Sequence, residues 1–149
     1  MNAPSITSAP FGSANGRAVD LYTLRNESGM VVEVTTYGAT ITELHVPDRD
    51  GHSANVVLGF PTLSDYVAKN SPPRGGGPYF GSIIGRYANR IANGRFTLAG
   101  RTYQVGINIP PNSLHGGFDG FDHKVWAPTV VPATGAISPV GIIISFTGV

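Results

Sequence analysis

The sequence predicts an all-β protein built from short antiparallel strands. Short runs of alternating apolar and polar residues recur along the chain, and a period of two is typical of half-buried strands. The 20 glycines and 12 prolines are spread over 149 residues and supply frequent turns between those runs. We find no internal repeat and no long amphipathic helix. These observations together define the class as all-β.

The first predicted strands form a meander. Ala18–Leu24 alternates and is followed by a turn, after which Met30–Tyr37, rich in Val and Thr, forms the second strand. Gly38 interrupts the pattern and marks a bulge or bend. Ala39–Val46 resumes in extended form, and the turn residues Pro47–Gly51 end it.

The middle of the chain alternates between structured and irregular segments. The short apolar run Asn55–Phe60 predicts another strand, and Thr62–Tyr66 predicts one helical turn with Thr62 as its N-cap. Ser71–Pro78 is too rich in Pro and Gly for regular structure and is interpreted as a mobile surface loop. Phe96–Val105 forms the clearest hairpin, with its turn at Ala99-Gly100-Arg101.

The C-terminal part is Pro- and Gly-rich from Ala127 to Pro139 and then apolar. Gly141–Phe146 has the composition of a buried strand. Because an apolar strand needs partners on both sides, we expect an unfinished sheet edge near Ile142–Phe146. Self-association through unpaired strand edges is one expected consequence.

The composition excludes several classes of partner. Apolar residues make up 41% and charged residues 13%, as in globular proteins, and the net charge of +1 gives no reason to expect nucleic acid or an anionic membrane. Cysteine is absent, so disulfides, thiolate chemistry and a Cys-based zinc site are excluded. The N-terminus lacks the features of a signal peptide, and no apolar run approaches a membrane span. We therefore expect a soluble, cytoplasmic protein.

The candidate binding residues lie between Gly85 and Trp126. Asn89 and Arg90 are adjacent at the end of an apolar run, where an amide and a planar fork of donors can meet one ligand. In Leu114-His115-Gly116-Gly117 the two glycines let the backbone turn tightly and let a ligand come close. Such side chains suit the binding of a small polar molecule.

The same region resembles a known family. GRYANRI, FTLAGRTY, NSLHGG and GFDHKVW follow one another between Gly85 and Trp126, and YGATITELHVPDRDG and NVVLGF precede them. In this order the motifs resemble the aldose 1-epimerase (galactose mutarotase) family, and the resemblance runs from about Val31 to Trp126. It implies a twisted antiparallel β-sandwich of the galactose mutarotase type. It also implies an isomerase that interconverts the α and β anomers of free hexoses such as glucose or galactose, without a cofactor.

The resemblance implies roles for individual residues. Asn89, Arg90 and His115 match family positions that contact the sugar, His115 with an auxiliary part in catalysis. The family's acid (a second His), its base (a Glu) and a sugar-binding Asp lie beyond the match to Leu114-His115-Gly116-Gly117. The acidic residues of this chain do not correspond to those positions: Asp20, Glu27, Glu33, Glu43, Asp48, Asp50, Asp65, Asp119 and Asp122. We therefore expect residues 1–149 to be the N-terminal part of a single domain, incomplete at its C-terminal edge, and the isolated chain to be inactive or very weak.

Two other classes of function stay open. One is a non-catalytic carbohydrate-binding module that keeps Asn89, Arg90 and His115, and the other is an inactive fragment that associates through open edges. A hexose-phosphate epimerase is a weaker alternative, because the Arg residues form no obvious phosphate cluster. Gly81–Gly85 lacks the Lys and the helix of a phosphate-binding loop.

Other residues are given ordinary interpretations. His45 is a packing or rim residue of a strand, His52 is solvated beside a turn, and His123 receives no role. The histidines lack metal-ligand spacing, so no metal is expected. Several aromatic residues are candidates to line a sugar site, although core packing is the better interpretation for the last two: Phe80, Tyr87, Phe118, Phe121 and Trp126.

Overall fold

Five antiparallel strands in sequence order form the main sheet. The structure is a computed structural model that describes residues 3–71, 76–131 and 141–145. Each strand pairs with the next in the order β1-β2-β3-β4-β5: β1 Ser5–Ala14, β2 Arg17–Arg25, β3 Val31–Thr35, β4 Thr40–Pro47 and β5 Ser53–Asn55. The predicted all-β class and the predicted meander are thereby confirmed.

The strand β1 has no counterpart in the sequence prediction. Most of its residues are Ser, Ala, Pro or Gly, which carry little preference for strands. It forms because the turn Asn15-Gly16, with φ of 54° and 71°, directs the chain back along β2. An Asn-Gly pair with both φ positive is the preferred turn of a tight hairpin, so the signal lay in the turn rather than in the strand.

Gly38 forms the predicted bend and joins the sheet to the C-terminal part of the chain. Its φ is 67°, and its backbone N–H donates to the Lys124 carbonyl oxygen at 2.7 Å. A Cβ at this position would lie 2.6 Å from the Asp122 carbonyl oxygen, so only Gly allows this approach. The neighbouring Tyr37 makes a bridge to Val125. The bend therefore fixes the segment that follows the candidate site against the sheet.

The strand predicted at Asn55–Phe60 is wrong beyond its first residue, because β5 ends at Asn55. The Asn55 side-chain oxygen accepts the backbone N–H groups of Leu44 and Val57, each at 3.0 Å. A side-chain acceptor thus takes the donors that a continued strand would use in its ladder. The apolar residues after Asn55 form an irregular segment instead.

The predicted helical turn is confirmed. The helix α1, Leu63–Asp65, begins after Thr62, whose Oγ1 accepts the Asp65 backbone N–H at 3.2 Å. A π-helical turn, Tyr66–Asn70, continues it. Of the loop predicted at Ser71–Pro78, residues 72–75 lie outside the described residues.

The remaining strands are short and form three antiparallel pairs. Their bounds are β6 Arg90–Ile91, β7 Arg95–Leu98, β8 Arg101–Gln104, β9 Ser113–Leu114, β10 Ala127–Val131 and β11 Gly141–Ser145. The pair β7-β8 confirms the predicted hairpin, and β6 pairs with β9 across it. β10, in the segment noted only as Pro- and Gly-rich, pairs with β11. The predicted strand at Gly141–Phe146 is present as β11, and Phe146 lies outside the described residues.

The core of the described chain is small and joins three parts of the fold. Val19 of β2, Tyr37, Leu63 of α1 and Val125 are buried against one another, and Phe11 of β1 packs on them. This cluster holds the sheet, the helical turn and the segment after the candidate site together. None of the helices among the described residues is long and apolar enough to cross a membrane.

Candidate functional site

A two-stranded ribbon brings the three predicted site residues together. β6 pairs with β9 so that Arg90 lies opposite Leu114. Asn89 immediately precedes β6 and His115 immediately follows β9, and the His115 backbone N–H donates to the Asn89 carbonyl oxygen at 3.1 Å. Residues that are 26 positions apart in sequence are therefore neighbours. The hairpin β7-β8 closes the intervening chain and makes this return possible.

A second hydrogen bond fixes the His115 ring. The Asn89 backbone N–H donates to His115 Nδ1 at 3.1 Å. A ring nitrogen that accepts this bond carries no proton, so the neutral imidazole holds its proton on Nε2. His115 therefore has a donor at Nε2 available for a ligand, and protonation of Nδ1 would break the bond to Asn89.

The surroundings of His115 also favour its neutral form. Burial lowers its pKa below the ordinary value of 6.5, and the nearby Arg90 guanidinium adds to this effect. The carboxyl of Asp122 acts in the opposite sense. Near neutral pH the ring is thus a neutral hydrogen-bond donor rather than a cation.

Arg90 and Asn89 present their side chains to solvent. Both residues are exposed, and Arg90 Nη1 donates to the Asn89 side-chain oxygen at 3.4 Å. This contact orients one edge of the guanidinium. Because a guanidinium has five N–H donors in a fixed plane, others can still bind a ligand.

Left-handed backbone conformations are concentrated at this site. Tyr79, Asn89 and His115 have φ of 55°, 58° and 53°, a region that residues other than Gly seldom occupy. Such conformations are retained where the surrounding structure enforces them, and they cluster at functional sites. The sequence offers no signal for them at Tyr79 or His115.

The glycine after His115 gives the site its close packing. Gly116 has φ of 92°, and a Cβ there would lie 2.0 Å from the Gly85 carbonyl oxygen. Gly85 itself lies against the Phe121 ring, which a Cβ would meet at 2.3 Å. The motif that carries His115 is therefore pressed against the start of the Asn89-Arg90 motif.

Sequence reasoning missed Asp122 as part of this region. Its side chain is 2% exposed and lies 3.3 Å from His123, measured from Oδ2 to Nε2. Burial raises its pKa above the usual 3.8, against the opposing effect of His123. Asp122 also influences the pKa values of Tyr37, Tyr79 and His115. A buried carboxyl with this many titratable neighbours has no signature in the sequence.

His45 lies in β4, and His52 lies between β4 and β5. His45 Nε2 contacts Glu43 Oε2 at 2.5 Å on the sheet, and the His52 side chain is 84% exposed. His123, given no role from sequence, lines a cavity of about 540 Å³ together with Tyr37, whose hydroxyl is 3.5 Å from His123 Nδ1. No group of three His, Cys, Asp or Glu residues suitable for a metal ion occurs in the part of the chain that the structure describes.

The aromatic candidates divide into packing and exposed residues. Phe121 and Trp126 form an edge-to-face pair at 5.5 Å, and Phe80 packs against Phe60 at 6.1 Å. Tyr87 contacts Phe96 of β7, and Phe118 is 51% exposed. The aromatic ring that does lie on His115 is that of Tyr79, which the sequence analysis did not single out.

We expect His115 to titrate below pH 6.5 and to carry its neutral proton on Nε2. The cause is its burial together with the Asn89 N–H donated to Nδ1. Because the unfolded chain then binds this proton more readily, the free energy of unfolding falls as the pH drops below about 6.5. Long-range proton–nitrogen NMR spectra of the His115 ring over pH 4–9 measure both properties. A midpoint above 6.5 or an Nδ1–H tautomer would contradict the geometry.

The fold is of the all-β, sandwich-like class that solved structures of sugar epimerases share. A crystal structure of galactose 1-epimerase from Lactobacillus acidophilus NCFM matches 89% of this chain and 36% of its own, with a TM-score of 0.71 and 25% identity. An aldose epimerase homologue from C. elegans matches 89% of this chain and 33% of its own, with a TM-score of 0.60 and 26% identity.

The sequence comparisons define the family. A family model described as aldose 1-epimerase matches residues 20–140. Galactose mutarotase from Rattus norvegicus is 46% identical over 129 residues, which are 85% of this chain and 35% of that protein. Aldose 1-epimerase from Escherichia coli K12 is 36% identical over 121 residues, which are 81% of this chain and 33% of that protein. The chain belongs to the aldose 1-epimerase family, a family of isomerases, and it spans about a third of the length of these relatives.

Proposed function

We propose that this chain carries the substrate-orienting part of a mutarotase site. In this proposal Asn89, Arg90 and His115 bind an aldohexose such as glucose or galactose whose α and β anomers are interconverted. The observation that carries the proposal is the pair of hydrogen bonds between Asn89 and His115, which joins the Asn89-Arg90 motif to His115. Arg90 is close enough to His115 to lower its pKa. The family relationship supports the choice of a sugar as the ligand.

The chemistry asks for oriented donors and for a matched acid and base. Mutarotation opens a cyclic hemiacetal and closes it on the other face of the carbonyl carbon. A proton reaches the ring oxygen while another leaves the anomeric hydroxyl, and the two groups then exchange roles. In our proposal Arg90 and the Nε2–H of His115 hold sugar oxygens and stabilise the charge that develops on them. No cofactor enters this reaction.

His115 is therefore assigned an auxiliary role rather than that of the main acid. With Nδ1 engaged by the Asn89 N–H, His115 has one ring nitrogen for the sugar and cannot serve both proton transfers. The buried Asp122 side chain is 2% exposed and cannot reach a sugar hydroxyl. We propose that the acid and base of the full reaction are supplied by residues other than those that the structure describes.

Arg90→Ala is expected to weaken sugar binding by about tenfold or more. A hydrogen bond from a charged group contributes roughly 1.5–3 kcal/mol, and about 1.4 kcal/mol corresponds to a factor of ten in affinity. NMR chemical-shift titration of the chain with D-galactose and with D-glucose measures the dissociation constants.

Arg95→Ala is the matched control, because Arg95 is also an exposed Arg and lies on the neighbouring strand β7. Equal weakening by the two variants would contradict a specific role for Arg90. Absence of binding by the parent chain to either sugar would contradict the proposed function. If the chain binds sugar but gives no turnover even when a further protein segment supplies the acid and the base, a non-catalytic carbohydrate-binding module would be favoured.

A further inference from the structure

The Tyr79 ring packs against the His115 imidazole. The two ring centroids are 4.6 Å apart and the planes are inclined by 60°. Both residues are partly buried, so the contact shields part of each ring from water. Aromatic pairs at this separation attract each other beyond simple burial. Tyr79 thus restrains the tilt of the ring, while the Asn89 N–H restrains its rotation within the plane.

A buried amide holds Tyr79 in this position. Asn70, 2% exposed, accepts the Phe80 N–H at 2.8 Å and donates to the Phe80 carbonyl oxygen at 3.1 Å and to Ser82 Oγ at 2.9 Å. The Asn70 carbonyl oxygen also accepts the Tyr79 N–H at 3.0 Å. The three bonds to the Tyr79 and Phe80 backbone fix the chain on both sides of the Tyr79 Cα and maintain its φ of 55°.

The hydroxyl of Tyr79 stays protonated in this environment. Burial raises its pKa above 10.0, and the Asp122 carboxyl adds to the increase, whereas Arg90 opposes it. The charged and titratable groups that face the Tyr79–His115 pair are therefore Arg90 from β6 and Asp122 from the turn after Gly120. Tyr79 contributes a neutral aromatic surface rather than a charge.

We propose that Tyr79, anchored through Asn70, is a positioning residue that holds the His115 ring in its ligand-binding orientation. That this orientation serves ligand binding rests on the proposed function. The contact between the Tyr79 and His115 rings can be measured without any sugar. Asn70 and Tyr79 act through His115 and are not assigned to the reacting atoms. Through Asn70 the site extends to the π-helical turn Tyr66–Asn70, which lies outside the motifs that carry Asn89, Arg90 and His115.

The first experiment uses NMR on the unmodified chain and on Tyr79 variants. We expect nuclear Overhauser contacts between the Tyr79 and His115 ring protons, and ring-current shifts of the His115 protons. Tyr79→Phe keeps the ring and is expected to retain these shifts, whereas Tyr79→Leu is expected to lose them and to raise the His115 titration midpoint toward its ordinary value. Tyr103→Leu, which removes a Tyr stacked on Phe96 in the hairpin, is the control and is expected to leave His115 unchanged.

The second experiment measures affinity for D-galactose in the same variants. Tyr79→Leu is expected to weaken binding by roughly 2- to 10-fold, from the usual contribution of an aromatic pair, and Tyr79→Phe to restore it. Asn70→Ser, which removes the amide, is expected to reduce the His115 ring-current shift if Tyr79→Leu does not fold.

The outcomes separate the two proposals. Unchanged His115 shifts and midpoint in folded Tyr79→Leu, or no ring contact in the unmodified chain, would overturn the positioning role. A parent chain that shows the ring contact but binds no sugar would leave the positioning of His115 supported and overturn the proposed function instead.

Discussion

Gly116→Ala is expected to lower the free energy of unfolding by about 3 kcal/mol, of which roughly 1–2 kcal/mol is left-handed backbone strain and the rest overpacking. The φ of Gly116 is 92°, which an L-residue with a Cβ seldom adopts. The added Cβ would also lie 2.0 Å from the Gly85 carbonyl oxygen and 3.0 Å from Gly120 Cα. Both neighbours are backbone atoms, so no side-chain rotation can relieve the contact.

Gly29→Ala is the matched control for this prediction. Gly29 has a similar φ of 86°, but nothing lies within 4 Å of the position of its Cβ. The control therefore carries the backbone strain alone, roughly 1–2 kcal/mol. Urea denaturation followed by circular dichroism measures both variants. An equal loss in the two proteins would show that the turn after His115 opens readily and that the site is looser than its geometry indicates.

The sequence predicts the parts of the fold that depend on local pattern. Strands β2, β3 and β4 and the hairpin β7-β8 follow from alternation and turn residues, and Thr62 marks the start of α1. β1 was missed because most of its residues carry little strand preference and its signal is the Asn15-Gly16 turn. The strand at Asn55–Phe60 was overpredicted because one side-chain oxygen takes two backbone donors.

Only part of the candidate site can be predicted from the sequence. Asn89, Arg90 and His115 were selected from motifs that resemble a family, and the pairing of β6 with β9 brings them together. The contact of Tyr79 with His115 depends on left-handed backbone at both residues and on hydrogen bonds from Asn70. Spacing along the chain does not encode such contacts, because the residues are far apart in sequence and unrelated in pattern.

The buried residue Asp122 affects the pKa values of the candidate site. Asp122 lies close enough to His115 and Tyr79 to affect both pKa values, and its own carboxyl is buried beside His123. A charge held below the surface can bias the protonation of His115 without contacting a ligand. In our proposal the exposed donors bind the ligand at the surface, and the buried carboxyl biases the protonation of His115 from beneath it.

The second large expected effect is on the rate of mutarotation by the 149-residue chain alone. We expect it to accelerate mutarotation only slightly over buffer, because a positioned acid and a positioned base each contribute on the order of 10²–10⁴ in rate. Among the described residues near the ribbon, His115 offers one ring nitrogen, and Asp122 is too deeply buried to act on a sugar. In our proposal Arg90 and His115 orient the sugar and stabilise developing charge, which lowers the barrier in part.

Polarimetry on freshly dissolved α-D-glucose and α-D-galactose tests this expectation, with buffer and His115→Ala as controls and the aldose 1-epimerase of Escherichia coli K12 as the active reference. We expect the small acceleration to disappear in His115→Ala, because that variant removes the Nε2–H donor and releases the Asn89 N–H. Turnover by the parent chain at a normal enzymic rate, on the order of 10–10³ per second, would show that this chain holds a complete acid and base.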